Sequence, residues 1–122
     1  MEDRFRVEFL MLRTLAAQAW ADGDLKPSER AFLEAIAHAG GLRQSKWQRW
    51  LDEPTPPPPI RTLQRYIVDP NDRLDLVTQM LALSWVDQVV SPEEWALVEA
   101  VGVGLDVPLD TLQALLEELE AA

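Results

Sequence analysis

The amino-acid sequence predicts an all-α fold of about seven helices, two of them short. Three observations carry that reading. Apolar residues recur at steps of three and four in successive segments, the period of a helix with one buried face. No strand-length stretch sustains an alternation of apolar and polar residues. The segment Trp20 to Ala35 also returns 65 residues later as Trp85 to Ala100, with seven of sixteen positions identical. Unrelated segments match at roughly one position in such a window, so the chain reads as an internal duplication. The repeated unit is a helix, a turn and a second helix, and the two units are expected to pack antiparallel around one core.

The first helix carries Phe5, Phe9, Leu12, Ala16, Ala19 and Trp20 on one predicted face. Asp22-Gly23-Asp24 stops it, because Gly accepts the left-handed backbone of a helix C-terminal turn. Pro27 suits the first position of the next helix, where its missing N–H costs nothing. That helix presents Phe32, Leu33, Ile36 and Ala39 and ends at Gly40-Gly41. Ser45 to Leu51 reads as a short helix through Trp47, Trp50 and Leu51.

Residues 52–59 hold five prolines and read as an extended polyproline connector, a stiff spacer between the units. The segment contains a PxxP match, for which partner recognition is the weaker reading. Ile60 to Ile67 is a second short helix. Asp69 then serves as N-cap and Pro70 as first residue of a helix through Leu74, Val77, Leu81, Ser84 and Trp85. Ser91-Pro92-Glu93-Glu94 spells a capping box before Leu97, Val98 and Val101. Gly102 and Gly104 are expected to loosen that helix's end. The last helix repeats Leu109, Leu112, Leu116 and Leu119, and its acidic C-terminus opposes the macrodipole. Trp20 and Trp85 are expected near the shared interior, at the base of the turns.

The chain thus organises as a single domain over 1–122. Its parts are pseudo-repeat one at 5–41, the connector at 52–59, pseudo-repeat two at 70–104 and a C-terminal helix at 108–121. The 122 residues are 48% hydrophobic and include five Trp, enough for a core of large apolar groups. The formal net charge of −10 repels nucleic-acid backbones and anionic membrane surfaces. It suits cations or a basic protein partner. There is no Cys, hence no disulfide or thiolate chemistry. The mixed acidic start lacks the features of a signal peptide, and no apolar run approaches a membrane span. A cytoplasmic location is the expectation.

Ala19-Trp20-Ala21-Asp22-Gly23-Asp24-Leu25, with Glu29 four residues on, resembles the signature of the TerB-like domains of tellurite resistance. The resemblance spans Phe5 to Leu119 as a duplicated helical domain. It implies an all-helical fold, no established catalysis, a role in tellurite and chemical-stress response, and an acidic surface suggested to hold metal ions. This chain departs from that pattern in two places. Lys26 stands where a Ser or Thr cap belongs, and Gln88 and Val89 replace the Gly and the acidic residue of the second turn.

Two functional readings follow. The first is a non-enzymatic interaction module whose acidic surface meets a partner. The second is a divalent-cation protein with Asp22, Asp24, Glu29, Asp87 and Glu94 as candidate ligands, since such cations take several converging oxygens. An EF-hand is excluded: counting from Asp22, its sixth and twelfth positions are Pro27 and Leu33. Glu29 and Glu94 at the third position of their helices have a competing role, stabilising free backbone amides. Catalysis has little support. His38 is the only His, and no phosphate loop, zinc-protease helix or serine elbow occurs. A small enzyme with an acid pair between the halves is the third and weakest class.

Overall fold

A computed structural model describes residues 2–86 and 91–121. Seven helices follow in order: α1 (Glu2–Ala19), α2 (Pro27–Ala39), α3 (Gln44–Asp52), α4 (Ile60–Tyr66), α5 (Pro70–Trp85), α6 (Pro92–Gly104) and α7 (Leu109–Ala121). Among the described residues there is no strand. None of these helices is long and apolar enough to cross a membrane.

The predicted one-faced α1 is instead the centre of the molecule. It packs against α2, α3, α4, α5 and α6. From Val7 onward it buries Met11, Leu12, Leu15, Ala16, Ala17 and Ala19, residues that lie around most of its circumference. Two polar residues share that interior because each finds an acceptor. Thr14 Oγ1 donates to the Leu10 carbonyl at 2.7 Å, and Gln18 Nε2 to the Met80 carbonyl at 2.7 Å. Phe5, expected inside, is 47% exposed. Leu74 and Leu109 are likewise exposed, and the α5 core is carried by Leu76, Val77, Met80, Leu81 and Leu83. Trp20 and Trp85 are half-buried.

Within each unit the helices run antiparallel. Gly40, after α2, lies beside Glu8 near the start of α1. Arg73, near the start of α5, reaches the Leu105 carbonyl just after α6 at 3.3 Å. The units themselves meet differently from the antiparallel expectation, through α1 and α5 side by side and parallel. Arg4 binds Asp72 at the two starts, with Nη1 2.8 and 2.9 Å from the carboxylate oxygens. Gln18 binds Ser84 at the two ends, 2.8 Å apart. These ties, 68 and 66 residues apart in sequence, hold the helices in register.

The 65-residue spacing recurs in the backbone. α2 and α6 each have 13 residues. After α2, Gly40 N–H donates to the Ile36 carbonyl, Gly41 to His38 and Leu42 to Ala37. After α6, Leu105 donates to Val101, Asp106 to Val103 and Val107 to Gly102. Both turns close on a left-handed residue, Gly41 at φ 68° and Asp106 at φ 61°. Gly23 takes the same side of φ space, at 92°, in the turn after α1.

Two expectations change. Gly104 does not loosen α6; a Cβ there would come 2.5 Å from Ile60 Cγ2, so the missing side chain is what admits α4. The proline segment joins α3 to α4 without helix or strand over 54–59, but it does not hold the units apart, since α1 and α5 pack directly. It runs over the surface, with Pro58 buried and Thr55 Oγ1 donating to the Trp50 carbonyl at 3.3 Å.

Candidate functional site

The first acidic turn and the starts of α2 and α6 are built chiefly from local braces. Asp22 accepts from the Asp24 backbone N–H at 3.2 Å and pairs with Lys26 Nζ at 3.1 Å. Lys26 is the N-cap of α2, and an ammonium cannot accept from helix amides. The available half of the cap is supplied by Glu29, whose Oε1 accepts from the Lys26 backbone N–H at 3.1 Å. At the start of α6, Ser91 Oγ accepts from the Glu94 N–H at 3.1 Å and donates to Glu94 Oε1 at 3.4 Å. Glu29 and Glu94 are each 1% exposed. Their burial comes with cap geometry at equivalent places in the two units.

Of the predicted ligands, Asp22, Asp24, Glu29 and Glu94 are described, and Asp87 lies outside the described residues. Among the described residues no group of three or more His, Asp or Glu side chains is placed to hold a metal ion. Asp24 is exposed while Glu29 is buried in the cap. His38 is exposed, its ring edge-on to Trp47 at 5.6 Å.

A feature of composition, missed by reading local motifs, marks a different region. Residues 1–73 carry eleven basic and eleven acidic residues. Residues 74–122 carry ten acidic residues and no Lys or Arg. The entire net charge therefore belongs to the last 49 residues. Those residues form most of α5 and all of α6 and α7, which pack on one another. Asp75, Glu93, Asp106, Asp110, Glu117 and Glu118 are exposed there. A count of charge along the chain would have found this.

Two apolar grooves border the same helices, on adjacent faces of α6. One, of about 410 Å³, has Leu81, Trp85, Trp95 and Leu116 in its lining and Glu120 beside them. The other, of about 690 Å³, lies between the proline segment and α6. Its lining includes Trp20, Pro54, Pro56, Glu93, Leu97 and Ala100. Trp20 Nε1 donates to the Trp50 carbonyl at 2.8 Å and so fixes that wall. Such grooves can take apolar side chains, and the surrounding carboxylates favour cations beside them.

No family model, curated protein or solved structure matches this chain.

Proposed function

We propose that this chain is a non-catalytic, TerB-like interaction domain of chemical-stress response whose acidic half binds a basic protein segment. The observation that carries the reading is the charge partition: ten carboxylates and no cation over residues 74–122. A like-signed surface steers an oppositely charged partner and rejects others, while adjacent apolar grooves supply the desolvated contact that gives affinity. The grooves at Trp85–Trp95 and at Trp20–Leu97 are where apolar anchors of such a segment would sit. The TerB-like signature at Asp22-Gly23-Asp24 supports the placement in stress response.

The test is a fluorescence titration with an amphipathic peptide of Lys and Leu, using the five Trp as reporters. Saturable binding is expected, weakening as salt rises. A Glu-for-Lys version of the peptide should not bind. Equal binding of both peptides, or of neither, would end the proposal.

A further inference from the structure

The start of α1 and the end of α4 border an open-sided cavity of about 530 Å³ with a different character from the acidic half. Arg4, Arg6, Arg65 and Tyr66 line it, with Val68, Asp69 and Asp72. Arg4 is neutralised, being held by both oxygens of Asp72 and by Glu8 at 2.9 Å. Among the side chains described, residues 4–86 and 91–121, none pairs a carboxylate with Arg6 or Arg65. Both instead lie on the Tyr66 ring, their guanidinium carbons 4.9 and 5.4 Å from its centroid.

We infer that this cavity binds a phosphate dianion, free or as a small monoester, between the guanidinium groups of Arg6 and Arg65. A guanidinium stacked on an aromatic ring keeps its N–H edges for an oxyanion, and its planar fork matches phosphate oxygens. The aromatic contact also limits the rotamers each Arg must give up on binding. A dianion that contacts both guanidinium groups offsets the repulsion between them. Asp69 is the opposing charge in the lining. Its carboxylate accepts from the Asn71 N–H at 2.8 Å, at the positive end of the 16-residue α5. Val68, 67% exposed, offers an apolar wall for the body of an ester. The site is independent of the acidic half and of the binding proposed for it.

Tyr66 is the only tyrosine, so fluorotyrosine labelling places a single ¹⁹F resonance in the cavity. The full chain is titrated at constant ionic strength with inorganic phosphate, phenyl phosphate, benzoate and chloride. A saturable shift is expected with both phosphates, and a weaker one or none with benzoate and chloride. Tighter binding of phenyl phosphate assigns the site to a monoester, and equal affinity assigns it to the free ion. The double variant Arg6→Gln/Arg65→Gln, at two exposed positions, should lose affinity by roughly tenfold or more. Arg43→Gln, exposed elsewhere, should not change it. A linear, non-saturating shift, an equal response to chloride, or wild-type affinity in the double variant would overturn the inference.

Discussion

Gln18 and Ser84, 66 residues apart, share a buried hydrogen bond at the point where the ends of α1 and α5 meet. The same Gln18 Nε2 also donates to the Met80 carbonyl at 2.7 Å, and Ser84 Oγ donates to that carbonyl at 3.1 Å. The amide oxygen of Gln18 is buried with no partner among the described residues. This tie is therefore strong on one side and costly on the other. Gln18→Leu removes two bonds worth about 1 kcal/mol each and relieves an unsatisfied oxygen of similar or larger cost. It should change stability by no more than about 1 kcal/mol, because Ser84 keeps Met80 as acceptor. Gln18→Ala adds a cavity and should cost about 2–3 kcal/mol. Urea unfolding distinguishes the two.

The left-handed turns after α2 and α6 predict opposite responses to one exchange. Gly41 has nothing within 4 Å of where a Cβ would lie, so Gly41→Asp costs only backbone strain, about 1 kcal/mol. Asp106→Gly should raise stability by a similar amount. Its lost pairing with Arg73, 3.4 Å long with the Asp106 side chain 89% exposed, contributes little. Thermal melts of the two variants should shift in opposite directions.

Trp20 and Trp85 occupy equivalent places but differ in hydrogen bonding. Trp20 Nε1 donates to the Trp50 carbonyl, whereas Trp85 Nε1 is buried without an acceptor among the described residues. Replacement by Phe keeps the apolar bulk of each. Trp20→Phe should cost about 1 kcal/mol more than Trp85→Phe, since only the former breaks a bond. Denaturant midpoints at unchanged slope are the measurement.

Arg30 ties α2 to the end of α3, donating to Asp52 Oδ1 at 3.0 Å and to the Leu51 carbonyl at 3.0 Å. The bond from Arg30, aided by one from Gln48, holds the Asp52 carboxyl below its ordinary 3.8. A lowered folded value means this contribution is full above the unfolded value and is lost as pH falls through the folded one. Carboxyl NMR should show Asp52 titrating below 3.8, and Arg30→Gln should move it back up.

Much of the fold is legible in the sequence because caps and breakers are local. Pro27, Pro70 and Pro92 begin helices as expected, and Asp69 and Ser91 cap them. The role of α1 was not legible. Thr14 and Gln18 gave it an apparent polar side, and only partners 4 and 62 residues away make those groups acceptable inside. The proline segment misled for a related reason: its composition sets stiffness, while its position depends on the packing of α1 against α5. The acidic turn drew attention through spacing. Spacing alone did not reveal that Lys26 would pair with Asp22, or that Glu29 would be buried beneath its own helix start.

The proposed binding of a basic segment belongs to the acidic half rather than to net charge as such. Two variants with the same change in net charge test it most directly. One neutralises Glu93, Glu117, Glu118 and Glu120 to Gln; the other neutralises Asp24, Glu34 and Glu53 to their amides together with Asp69→Asn. Each is titrated with the Lys–Leu peptide at fixed salt. The first variant should lose roughly tenfold or more in affinity and the second should stay near wild type. Equal losses in both would contradict it.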